Sequence, residues 1–183
     1  GMFFLQKVKG FDLEEAAMII AVNTIAGIAG TVFSGWFSDK VFKGDRKYPA
    51  FVAGILEAIA LVLFLYGGNS WFINVLAMCL FGIAIGVLIC FIGGLMAVDL
   101  VPRKATGAAL GIVGLASYLA AGLMTVISGW LIDGHAIKDA VTGEVIQYDF
   151  TYVSIFWVGA AVVSFLLPIL NWKRKKMELS ASE

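Results

Sequence analysis

The stretch AAMIIAVNTIAGIAGTVFSGWFSDKVFKGDRK, Ala16 to Lys47, decides how the chain must fold. Its first 23 residues, through Ser38, carry no charge, and the nine that follow carry six. At 1.5 Å rise per residue, a 23-residue helix reaches about 34 Å, slightly more than the roughly 30 Å hydrocarbon core of a bilayer. A run of that length, with charge dammed up at one end, reads as a membrane span emerging into water.

The same pattern repeats along the chain. No Asp, Glu, Lys or Arg occurs from Ala58 to Val98, from Ala105 to Ile132 or from Phe150 to Trp172. The run from Ala58 is too long for one helix, and GGNSW at Gly67 to Trp71 supplies a turn that divides it. Five spans are predicted, at about 13–37, 48–66, 71–97, 105–131 and 150–172, which makes the chain an all-α polytopic membrane protein. Composition agrees: 61% hydrophobic and 14% charged residues over a length of 183 leave more apolar surface than a soluble domain can bury. Pro49 opens the second span, where a missing N–H costs nothing, and Asp12 and Glu15 have capping-box spacing at the first. Trp36, Trp71, Trp130 and Trp172 fall at span ends, where indole rings prefer the interface. The opening GMFFLQKVKG is too poor in apolar residues for a signal peptide. Cys79 and Cys90 share one helix about 16 Å apart along its axis, far beyond disulfide reach.

Basic residues sort by loop. Lys40, Lys43, Arg46, Lys47, Arg103, Lys104 and the four from Lys173 to Lys176 fall on one side, against Lys7, Lys9 and Lys138 on the other. The positive-inside bias places the larger group in the cytoplasm, with the first residues outside and the C-terminus inside the inner membrane. An outside start predicts that an odd number of spans precedes this stretch in a longer membrane protein.

Small residues at helical spacing mark where membrane helices pack closely. The fourth span carries Gly107, Gly111, Gly114, Tyr118, Gly122, Thr125 and Gly129 on one face, which should meet a neighbour or a cavity. Span one has Asn23, Gly27, Gly30 and Ser34, and span three has Gly82, Gly86, Cys90, Gly93 and Ala97. Spans two and five have weaker stripes and read as peripheral, lipid-facing helices.

Asp39 ends the first span, where the helix dipole disfavours a carboxylate. The pattern Gly35-x-x-x-Asp39-Lys40 followed by Gly44-x-Arg46-Lys47, between two spans, resembles the loop signature of the major facilitator superfamily. GWFSDKVFKGDR and DLVPRKATGAALGIVGLASYL, the latter from Asp99 to Leu119, are similar to one branch of it, the organophosphate:phosphate antiporters and their transporter-like sugar-phosphate sensors. The resemblance implies that the five spans are helices eight to twelve of a twelve-helix fold, so that residues 1–183 form a partial C-terminal half. It further implies that Gly35, Asp39, Lys40, Gly44, Arg46 and Lys47 belong to a conformational latch, with Asp39 capping a helix of the N-terminal half. Thr24 stands where the branch has an acidic residue in helix eight, and Leu88 and Ile89 stand where it has Gly-Pro in helix ten. The outer loop from Asp133 to Asp149 is longer than the family's, and its VTGEV centre has the composition of a small hairpin. The arginines that grip phosphate in this branch come from helices one and seven, which this sequence does not contain.

Glu57 is the one acid, base or imidazole in the interior of a span, and such a group is a functional candidate by default. A packed structural role and a part in proton coupling or gating both fit it. Asn23, Thr24 and Tyr118 are the expected cavity-facing contacts, with interhelical hydrogen bonding the alternative for Asn23 and Tyr118. His135 is expected to be solvated in the outer loop, and one imidazole makes no metal site. No metal or cofactor is called for. Neither a nucleophile elbow nor a zinc-binding His-Glu pattern occurs, so an enzyme is not expected. The basic residues flank spans and form no patch suited to nucleic acid. The resemblance implies alternating-access exchange of an organophosphate, such as glycerol-3-phosphate or a sugar phosphate, for inorganic phosphate. The expected partners are the bilayer, the N-terminal half and a small anionic metabolite. A sugar-phosphate sensor and a carrier of a non-phosphate metabolite are the alternatives.

Overall fold

The computed structural model describes residues 1–41, 47–95, 98, 101–140 and 142–170, with side chains described for all of these except 37–39, 41, 47, 95, 165 and 167–170. Helix α1 spans Met2–Lys7, α2 Leu13–Val41, α3 Lys47–Tyr66, α4 Trp71–Leu88, α5 Thr106–Gly134 and α6 Thr151–Leu170. α4 continues as a π-helix over Ile89–Leu95, and a 3₁₀ turn at Arg103–Ala105 leads into α5.

Four stretches are long and apolar enough to cross a membrane: Leu13–Trp36, Tyr48–Tyr66, Trp71–Gly94 and Arg103–Gly134. The expectation of five is therefore met by four among the described residues. The fifth run forms α6, whose described apolar part, Thr151–Ser164, is shorter than a span. Among the described residues the chain is all-α apart from the small hairpin anticipated in the outer loop. Ile137–Lys138 and Val145–Gln147 form a two-stranded antiparallel hairpin in the outer loop. Its turn is held by the Asp139 carboxylate, which accepts from the Thr142 N–H at 2.9 Å, and by Gly143 at φ 72°.

The capping box forms at the start of α2. The Glu15 N–H donates to Asp12 Oδ1 at 2.7 Å, and the Asp12 N–H donates to Glu15 Oε2 at 3.3 Å. Asp12→Ala removes one of these acceptors and should lower unfolding free energy by about 1 kcal/mol, read as a lower midpoint in detergent unfolding. At its other end α2 runs past the expected boundary, so the backbone of Asp39 lies in the last helical turn. A carboxylate there meets the negative end of the helix dipole.

α4 is the floor of the assembly, with α2 and α3 laid along it and α6 against the far side of α3. The buried cluster gathers at one end, where Phe4, Leu5, Ala16, Ile19, Phe64, Met78, Phe150 and Val153 bring together α1 and parts of α2, α3, α4 and α6. The Phe4 ring packs on Phe64 at 5.4 Å and edge-on to Phe150 at 5.2 Å, keying the short α1 into that end.

α3 corrects the peripheral reading of the second span, because it is the most buried of the four. Ala50, Ala53, Ala60 and Phe64 face inward, since α4 and α6 flank it within the chain. Val52, Ile55, Ile59, Val62 and Tyr66, at steps of three and four, remain an exposed stripe suited to lipid. α5 is the opposite case, with none of its residues buried.

Candidate functional site

The small-residue stripes of the first and third spans meet. Gly27 packs on the Gly82 carbonyl, a Cβ on Gly30 would stand 2.5 Å from the Ile83 carbonyl oxygen, and Cβ atoms on Gly82 and Gly86 would strike the carbonyls of Asn23 and Gly27. Backbone thus lies directly on backbone, which only glycine allows at Gly30, Gly82 and Gly86, while a Cβ at Gly27 would rest in ordinary contact. The Thr31 hydroxyl ties the seam, shared between the Gly27 carbonyl of its own helix at 2.9 Å and that of Gly86 across the interface at 3.2 Å. A hydroxyl sharing its proton across two helices holds them at a fixed rise without a bulky side chain between them.

Asn23 sits at the end of this seam, with its Oδ1 buried and without a hydrogen-bond partner among the described residues. An unmet acceptor in an apolar surround is costly, and here it marks the point of the seam best able to receive a donor. Thr24, one residue on, is exposed and turned to another face. Tyr118 stands apart from both, 83% exposed on α5. Around it, Cβ atoms built at Gly107, Gly111, Gly114, Gly122 and Gly129 meet open space. The described residues therefore do not cover the face that the sequence marked for a neighbour.

Just past Gly86 the backbone changes hydrogen-bonding pattern, with the π-helix beginning at Ile89. Such turns are rare and concentrate where a helix must redirect side chains. This one starts at Leu88-Ile89, the position singled out above for lacking Gly-Pro. No propensity argument signals a π-turn in LICFIGGL, and the sequence reading expected an uninterrupted helix there.

Of the expected latch residues, Gly35 and Lys40 are described. Gly35 has open space beside it, and the exposed Lys40 places Nζ 4.8 Å from the centre of the Trp36 ring. Asp39 and Lys47 are described in backbone alone, and Gly44 and Arg46 lie outside the described residues. Glu57 lies half-buried on the inward stripe of α3 and makes no hydrogen bond or ion pair with another described residue. His135 departs from expectation. Its Nδ1 lies 2.9 Å from the Leu131 carbonyl and its ring stacks on Tyr152 at 4.1 Å, so it clasps the end of α5 to the start of α6.

One polar cluster escaped the sequence reading. Lys9 is 6% exposed and Asn74 fully buried. Lys9 Nζ donates to Asn74 Oδ1 at 2.7 Å and to the Gly68 carbonyl at 2.8 Å, while Asn74 Nδ2 donates to the Ser70 carbonyl at 2.8 Å. The rings of Phe64 and Phe4 stand 5.3 and 5.8 Å from the ammonium. Gly10 and Gly68, at φ 74° and 82°, make the two turns that this lysine stitches together. Burial without an anionic partner pulls its pKa down to about 8. The available signal was Asn74 itself, a lone amide in an otherwise apolar stretch, which needs a partner once buried.

Among the described residues, no group of three or more His, Cys, Asp or Glu could hold a metal. In comparisons with known proteins, the profile of the Major Facilitator Superfamily matches residues 1–181. The glycerol-3-phosphate transporter of Bacillus subtilis is 30% identical over 94% of the chain and 36% of its own length. The glycerol-3-phosphate transporter of Haemophilus influenzae is 33% identical over 69% of the chain and 30% of its own length. The membrane sensor protein UhpC of Salmonella typhimurium is 33% identical over 93% of the chain and 36% of its own length. The chain thus spans about a third of the length of the curated relatives it matches.

Proposed function

The chain belongs to the Major Facilitator Superfamily, and from that premise we propose that it forms helices eight to twelve of a carrier that exchanges an organophosphate for inorganic phosphate. The observation that carries this reading is similarity along nearly the whole chain to a protein named a glycerol-3-phosphate transporter. In this reading α6 is the fifth span, the basic loops and C-terminus face the cytoplasm, and the first residues face outward. The uncovered glycine face of α5 looks toward the rest of the intact protein, with Tyr118 and Thr24 contributing to the cavity between them and the unmet acceptor of Asn23 standing at the end of the seam. Phosphate is gripped by groups outside this stretch, because no cation lies in the interior of any span. The glycine seam of α2 and α4 moves as one body when the halves rock about a midplane site, and Asp39, with its loop, latches the cytoplasmic side.

Counterflow in vesicles is the test. The intact protein, loaded with unlabelled phosphate, should accumulate labelled phosphate and, in a second arm, glycerol-3-phosphate or a hexose phosphate. A second reading is a sensor of sugar phosphates, favoured by the similarity to UhpC. Saturable binding of the phosphate ester with no counterflow would select it. Neither binding nor counterflow would remove the phosphate class and leave a carrier of another metabolite.

A further inference from the structure

α2 and α3 both pack on α4 and diverge from each other, leaving a groove of about 580 Å³ with α4 as its floor. Ala29, Phe33 and Trp36 form one wall, Pro49 and Val52 the other, and Val87 lies at the base. The lining is hydrocarbon: the hydroxyl that reaches it, that of Ser34, is spent on the Thr31 carbonyl at 2.8 Å. From Trp36 to Ala29 the groove descends about 10 Å along α2, from the interface into the depth occupied by acyl chains. Its mouth carries opposite chemistry. Trp36 is 60% exposed, an anchor suited to the headgroup boundary, and Lys40 lies over its ring with the ammonium exposed.

An apolar slot with an exposed ammonium, that of Lys40, at its mouth is complementary to one molecule type present at every point of a membrane surface. We infer that the groove between α2 and α3 holds an acyl chain of an anionic phospholipid whose headgroup rests against Lys40. The chain fills a volume that would otherwise leave Phe33, Val52 and Val87 without contacts, and the ammonium selects the headgroup. The inference depends on the bilayer and on Lys40 at its surface, and is independent of what the intact protein carries.

Fluorescence quenching tests it in vesicles. With Trp71→Phe, Trp130→Phe, Trp157→Phe and Trp172→Phe, Trp36 is the sole emitter, and brominated phosphatidylglycerol or brominated phosphatidylcholine is added at equal mole fraction to a phosphatidylcholine host. Phosphatidylglycerol should quench at about fivefold lower mole fraction, the preference that one interfacial lysine confers on an anionic lipid. Lys40→Gln should bring the two lipids together, and Ala29→Phe, which fills the slot, should lower quenching by both. Equal quenching by the two lipids in the Lys40 protein overturns the inference. So does quenching by neither, which would mean that protein, either a second copy or another segment, covers the groove. If the fourfold variant does not fold, native mass spectrometry of the unmodified chain from mixed micelles decides. Retention of phosphatidylglycerol over phosphatidylcholine, lost in Lys40→Gln, supports the site, and equal retention refutes it.

Discussion

Gly86→Leu should abolish the folded chain. A Cβ at this position collides with the Gly27 carbonyl oxygen and lies 2.9 Å from the Thr31 nitrogen. Both are backbone atoms of a hydrogen-bonded helix, so no rotamer change relieves the clash. The helices must separate, and separation forfeits the dispersion contacts that hold helices together in lipid, where no hydrophobic drive between them remains. The bond from Thr31 to the Gly86 carbonyl is lost with them. Gly86→Ala is the graded version and should cost about 1–3 kcal/mol, the usual range for overpacking. Gly82→Ala should behave alike, because its Cβ meets the Asn23 carbonyl. Gly111→Ala and Gly122→Ala are the controls. Nothing lies within 4 Å of either, so exchanging glycine for alanine in a helix should leave stability unchanged or raise it by up to about 1 kcal/mol. Unfolding in mixed detergent, followed by circular dichroism, reads all four. Gly86→Ala and Gly111→Ala with the same midpoint would mean that the seam is not where the stability lies.

That contrast also marks how far the sequence was readable. The period of Asn23, Gly27 and Gly30 and that of Gly82 and Gly86 located both sides of the seam, because lipid-embedded helices have few other ways to approach. The spacing of charge located the spans, since hydrocarbon thickness sets one length for all of them. The same glycine logic applied to α5 named a face that the described residues leave open, because a stripe states that a partner is close and is silent on which partner. Spans two and five were judged by their lack of glycine, yet α3 packs through Ala50, Ala53 and Ala60, which are small enough for close contact and too common to stand out. The π-turn at Ile89 and the stacking of His135 on Tyr152 depend on three-dimensional register that no local pattern encodes. Lys9 did not stand out for a different reason. A lysine in a loop is nearly always solvated, and only the fold shows that the turn at Gly10 carries this one under the turn at Gly68.

Lys9→Met should therefore destabilise the chain more than loss of a loop lysine normally does. The substitution keeps the apolar stem between Phe4 and Phe64 and removes the ammonium, leaving the buried Asn74 Oδ1 short of its donor, while the Gly68 carbonyl still accepts from Asn74 Nδ2 at 3.2 Å. Stranding a buried acceptor costs about 1–3 kcal/mol. Asn74→Leu, made in the Lys9→Met background, removes the stranded amide and should recover part of the loss, as a double-mutant cycle would show. The pH dependence has a definite sign. The folded pKa, about 8, lies below the ordinary 10.5, so between these values the unfolded chain binds more protons than the folded one. Stability contributed by this group must rise with pH across that window. Below about pH 8 both states are charged and the burial cost is constant, and above 10.5 both are neutral. Unfolding midpoints measured from pH 7 to pH 10 should climb for the native chain and lose this component in Lys9→Met. A native profile that is flat or falling relative to Lys9→Met would place the ammonium in water and dissolve the link between the two outer turns.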